Sequence, residues 1–206
     1  MKKALTFLAV TAFMLFLLIG YSTSVNSDLS QNIVRLHILA NSDSNDDQAL
    51  KLKVRDAILK HSQNNFTKKN EVATYLDEYK EIAQKVITDS GYNYNVEVEY
   101  GNFNFPTKEY NNLRLPAGPY DAVRIKIGRA EGQNWWCVMF PPLCFVDGTT
   151  DTQNAEKKLL SSLDKESYDV ITLDSKERKF PFEIKFKILE VYGKLNDKNK
   201  VYAKSK

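Results

Sequence analysis

Tyr94-Asn95-Val96-Glu97-Val98-Glu99-Tyr100 alternates almost without fault, tyrosines and valines one way, Asn95, Glu97 and Glu99 the other. A period of two is the mark of a strand with one buried face. Phe103 and Phe105 continue the period beyond Gly101, and Asp121 to Ile127 repeats it, with Val123, Ile125 and Ile127 inside against Arg124 and Lys126. Ile33 to Ala40 reads as a half-buried strand, with Val34, Leu36 and Ile38 on one face and Arg35 and His37 on the other. Asn134 to Phe140 is apolar on both faces, as expected of a central strand. The span Gly128 to Gly132 predicts a hairpin joining it to the strand before. Late in the chain, Phe182, Ile184, Phe186 and Ile188 alternate with Glu183, Lys185 and Lys187, a strand whose outer lysines suit an edge.

Two helices precede most of these strands. Leu50, Val54, Ala57 and Ile58 recur at three and four, after a polar run in which Ser44 and Asp47 form a capping box. Val72, Leu76, Tyr79, Ala83 and Val86 make a second apolar stripe, stopped by Ser90-Gly91. A short helix is expected at 154–163. Strands in runs after a helix pair predict an α+β fold: a mostly antiparallel sheet with two helices packed on one face.

The amino terminus has a different composition. Lys2 and Lys3 precede a run from Ala4 to Tyr21 with no charged residue, and the first acid is Asp28. That is the pattern of a signal peptide or a membrane anchor, with the body of the chain across the membrane. Residues 1–25 are assigned to this segment, 26–195 to a single α+β domain, and 196–206 to a frayed basic tail. Net charge is only +3, which gives no argument for nucleic acid. It is uneven, because Lys176 to Lys206 holds ten Lys or Arg against four Asp or Glu. A solvated tail and strand face explain this; attraction to an anionic membrane surface is the alternative.

The chemical inventory is sparse. Asp43, Asn45 and Asp47 alternate like calcium ligands, but Gln48 stands where such a loop needs glycine and Val54 where it needs glutamate. With two histidines, His37 and His61, and no His-Glu-x-x-His, a zinc hydrolase has no support. No nucleophile elbow or phosphate-binding glycine loop appears. No catalytic residue, metal ligand or cofactor is therefore assigned, and the protein is expected not to be an enzyme. Cys137 and Cys144 are too far apart in sequence for a redox or zinc pair. Export favours a Cys137–Cys144 disulfide, with two buried thiols held apart by Pro141 and Pro142 as the alternative. A Cys137 nucleophile assisted by His37 rests on residue types alone.

The most unusual stretch is Asn134-Trp135-Trp136-Cys137, running into Phe140-Pro141-Pro142-Leu143-Cys144. On a strand the two tryptophan rings point to opposite faces. Both can serve the core, or Asn134, Trp135 and Trp136 can form a partner surface, since tryptophans recur as binding anchors.

These residues also carry a family likeness. Together with Arg35-Leu36-His37-Ile38-Leu39-Ala40-Asn41-Ser42-Asp43-Ser44, Lys51-Leu52-Lys53-Val54-Arg55-Asp56-Ala57 and Leu115-Pro116-Ala117-Gly118 they resemble stage II sporulation protein R of endospore-forming bacteria, over about 33–147. Pro119, where the family usually has an acid, and Ala130, in a glycine-rich turn, depart from it. The resemblance implies an intercellular signal exported across the forespore membrane into the intermembrane space. There it would activate a membrane-bound aspartic protease, stage II sporulation protein GA, which processes pro-sigma-E in the mother cell. The competing functions are an exported cell-wall-binding module using Trp135 or Trp136, and a cysteine peptidase.

Overall fold

A computed structural model describes residues 2–65, 69–110, 113–143, 157, 159–172, 187–189, 191, 195 and 200–205. Helix α1 (Lys2–Asn32) leads into strand β1 (Val34–Leu39), helix α2 (Asn45–Asn65), a 3-10 turn (Lys69–Tyr75) and helix α3 (Leu76–Asp89). Strands β2 (Val96–Phe105), β3 (Lys108–Tyr110), β4 (Leu113–Leu115), β5 (Gly118–Ile127) and β6 (Asn134–Phe140) follow. Helix α4 (Lys165–Ile171) and strand β7 (Lys200–Lys204) come last.

Five strands form one sheet in the order β6-β1-β5-β2-β7, and β3 and β4 make a separate ribbon. Only β1 and β5 run parallel; the β1–β6, β2–β5 and β2–β7 pairs are antiparallel. The fold is α+β as expected, with a mixed sheet and the α2–α3 pair on one face.

That face is apolar throughout. Leu36, Ile38, Val98, Val123 and Ile125 meet Leu50, Val54 and Ile58 of α2 and Tyr79, Ala83 and Ile87 of α3. Each Leu, Ile or Val among them contributes roughly 1.5–3 kcal/mol when fully buried. Ser44 caps α2, its Oγ accepting from the Asp47 amide at 3.2 Å. The capping box is one-sided, because the Asp47 carboxylate turns to the Asn41 amide and the Ser42 hydroxyl instead. Helix α3 ends as its Ser90-Gly91 stop predicts: Gly91 takes φ +84° and the Tyr92 amide donates back to Ile87 O.

The opposite face is covered as well. Val25 and Leu29 of α1, Leu113 and Leu115 of β4, and Val170 and Ile171 of α4 pack on Phe103, Phe105, Tyr120 and Val138. The register of β2 against β5 is unbroken, so Phe103 and Phe105 lie with Glu97 and Glu99, opposite Val96 and Val98. The apolar side of β2 thus changes at Gly101.

Several sequence expectations are corrected. Strand β1 is buried on both faces, with Arg35 0% and His37 6% exposed, because a layer exists on each side. Strand β6 lies at the sheet edge rather than its centre. Gly128 to Gly132 forms no hairpin, because β1 lies between β5 and β6. This loop crosses the end of β1, where the Gly132 amide donates to Ala40 O at 2.9 Å. A side chain at Gly132 would collide with the Ser42 backbone. Residues 182–186 of the late strand lie outside the described residues, and 187–189 are helical. The supposed frayed tail includes β7, paired to β2. Of the short helix, 159–162 are helical.

Helix α1 runs unbroken through the expected boundary at residue 25. Its last third is part of the domain, with Ser22, Val25, Asn26 and Leu29 buried, whereas Phe7, Phe13 and Phe16 are exposed. The helix is long and apolar enough to cross a membrane, with mean hydropathy 2.2 over its most apolar window.

Candidate partner-binding site

Edge strand β6 positions Asn134, Trp135 and Trp136. Register places Trp136 opposite His37, His37 beside Arg124, Arg124 opposite Glu99 and Glu99 opposite Lys204. One residue from each strand therefore makes a row across the sheet. Trp136 stacks on His37, with centroids 3.8 Å apart and planes 16° from parallel, and meets Phe105 edge-on at 4.8 Å. Asn134 Oδ1 lies 2.7 Å from His37 Nε2. Burial pushes the imidazole down to about 4, against the upward pull of the Asn134 hydrogen bond and with Arg124 adding to the fall. At neutral pH His37 is therefore uncharged, and its Nε2 donates to Asn134.

Farther along the row, Glu99 is 1% exposed and ion-paired to Arg124 at 2.5 Å and Lys126 at 2.8 Å. Burial pushes its carboxyl up, but hydrogen bonds from Lys126 and Arg124 outweigh that and hold it below its ordinary range. Beside the row lies Arg35, wholly buried. Its Nε donates to Cys137 O and its Nη2 to the Tyr110 hydroxyl, each at 2.9 Å. Its guanidinium carbon sits 4.5 Å from the Phe105 centroid and 4.9 Å from that of Tyr120. Ring faces thus stand where a carboxylate would otherwise be needed.

Trp135 points to the other side, under Arg55, whose guanidinium carbon is 4.4 Å from its ring. Both tryptophans are half-buried, so each belongs partly to a core face and partly to the surface. Between α2 and β3 a cleft of about 420 Å³ runs along the strand edge, lined by Gln48, Lys51, Leu52, Lys108, Gln133, Asn134, Trp135 and Trp136.

Cys137 is disulfide-bonded. Cys144 lies outside the described residues, and the 137–144 bridge stands as a proposal. Cys137 belongs to the α2–α3 face and His37 to the other, so the two do not form a nucleophile–base pair. Among the described residues no group of His, Cys, Asp and Glu is arranged to hold a metal ion, the Asp43–Asp47 segment included.

Sequence reasoning singled out the tryptophans but missed Arg35, Lys51 and Lys108. The signal for Arg35 was present: a cation and a histidine in a short strand whose apolar neighbours are already sufficient for one face.

Residues 30–150 match the stage II sporulation protein R family. The stage II sporulation protein R of Bacillus subtilis (strain 168) is 38% identical over 121 residues, which covers 55% of this chain and 54% of that relative. The chain thus spans about half the length of the curated relative it matches. No solved structure matches.

Proposed function

Because this chain belongs to the stage II sporulation protein R family, we propose that it is the signal exported from the forespore to activate the mother cell's membrane-bound aspartic protease, stage II sporulation protein GA, and so the processing of pro-sigma-E. The match over 30–150, which takes in β1, α2 and all of β6, carries this reading. The protein acts by binding rather than by bond chemistry: it prefers the active arrangement of the protease, and that difference in affinity shifts the population. Helix α1 directs the domain across the forespore membrane, and Asn134, Trp135 and Trp136 contribute to the surface that meets the protease. Exposure to an oxidising compartment allows the Cys137–Cys144 bridge to persist.

Co-expression of the chain, the protease and the sigma-E precursor in a non-sporulating host tests this. Shortened sigma-E is expected only when all three are present. Equal processing without the chain overturns the reading, as does normal processing in a sporulating strain that lacks the gene.

A further inference from the structure

Beside Asn134, Trp135 and Trp136 the sheet edge opens onto a cleft whose described lining holds two cations and no acid. Lys51 forms one wall. It is only 4% exposed, and its ammonium is held by Gln48 Oε1 at 2.5 Å and Gln133 O at 2.8 Å. Burial disfavours its charge, and the attraction of Asp43 offsets this only in part, with no carboxylate among the described residues at ion-pair distance. The nearby Asp43 accepts from the Gln133 amide. Lys108, exposed on β3, forms the other wall.

The strand itself offers backbone groups. Strand β6 is the end strand of the sheet, so every second residue along it presents its N–H and C=O away from β1, and the Tyr110 hydroxyl reaches Trp136 O only at 3.4 Å. Edge groups of this kind accept an added strand. Side chains of such a strand alternate between two sides. One would meet Lys51 and Trp135, and the next Lys108 and Trp136.

We propose that this edge receives an extended, acidic segment of the partner protein by strand addition, its carboxylates pairing with Lys51 and Lys108. The inference rests on the reading of the chain as an activator that works by binding, and it names the chemistry of the segment bound. Lys51 supplies a pre-positioned charge that gains a directly paired carboxylate in the complex, beyond the weaker attraction of Asp43, and Lys108 selects against basic segments.

Trp135 and Trp136 are the two tryptophans of the chain, so intrinsic fluorescence reports directly on the cleft. The full chain in neutral detergent is titrated with a short alternating Thr-Glu peptide and with its Thr-Lys counterpart. A saturable change with the acidic peptide alone is expected. Lys108→Glu should weaken it roughly tenfold, or about 1.4 kcal/mol. Asn134→Pro, which removes an edge N–H at a strand's first residue, where proline is tolerated, should also weaken it. Thermal midpoints establish that both variants are folded. An equal response to both peptides, no response to either, or unchanged affinity in both folded variants overturns the proposal. In the co-expression assay, full sigma-E processing by both variants also overturns it and leaves the activator reading standing. Absence of processing with the unaltered chain overturns the activator reading instead, and the titration then decides the cleft alone.

Discussion

The two faces of the sheet reach burial by different chemistry. Under α2 and α3, most of the buried side chains are aliphatic, with Tyr79 a buried ring among them, and at the aliphatic positions any of several residues of similar volume would serve. On the opposite face, charged and polar groups are buried in the company of rings and ion partners. Arg35 sits against Phe105 and Tyr120, His37 against Trp136, and Glu99 against Arg124 and Lys126. The first face supplies stability through area. The second fixes geometry, because each polar group there depends on a particular neighbour. The edge with Asn134, Trp135 and Trp136 borders both.

This contrast is open to direct attack. The largest effect is expected from Ile125→Ala on the aliphatic face. Ile125 is wholly buried, between Ile38 of β1 and Val98 of β2. Its truncation should cost about 2–5 kcal/mol by urea denaturation of the full chain in detergent. A cost well below that range would mean that this face collapses readily around a gap.

His37→Phe should come next, and its effect should depend on pH. The unfolded imidazole takes a proton below its ordinary value of 6.5, whereas the folded one does so only near 4. Acid therefore favours the unfolded chain. Stability is complete above pH 6.5 and falls by about 3 kcal/mol on going to pH 4. His37→Phe keeps a flat ring against Trp136 and should flatten the profile over that window. An unchanged slope would place the titrating group elsewhere.

Arg35→Met should have the smallest effect of the three, although the side chain is fully buried. Methionine fills similar volume and leaves no unpaired guanidinium N–H such as Nη1. Replacing a buried charge with an apolar side chain of this size is often close to neutral, within about 1–2 kcal/mol. A loss equal to that of Ile125→Ala would show that the rings hold the cation more strongly than an apolar group.

The same contrast explains what was legible in the sequence. Helices α2 and α3 and strands β2 and β5 follow from periodicity, because the aliphatic face imposes periods near 3.6 and 2 on the chain. Arg35 and His37 read as solvent-facing because hydropathy records the polarity of a residue and not the rings placed opposite it. The hairpin expected at Gly128 to Gly132 failed for another reason. Whether consecutive strands are neighbours depends on where β1, some ninety residues earlier, inserts. Strand β7 was hidden by its lysines, one of which, Lys204, pairs with Glu97 across the edge of β2. The Asn134-Trp135-Trp136 segment was legible as unusual, but its edge position and its flanking lysines come from the fold alone.

Helix α1 has a mechanical consequence. Its 31 residues form a rod of about 46 Å with no linker between the apolar part and the part packed on β5 and α4. A domain on a flexible tether samples all orientations and a volume set by tether length. With the apolar part of α1 held in a bilayer, this domain would have almost no slack: its height and tilt above the lipid would be those of the rod. Encounter with a membrane-bound partner would then be a search in a plane, with much of the orientational search already removed.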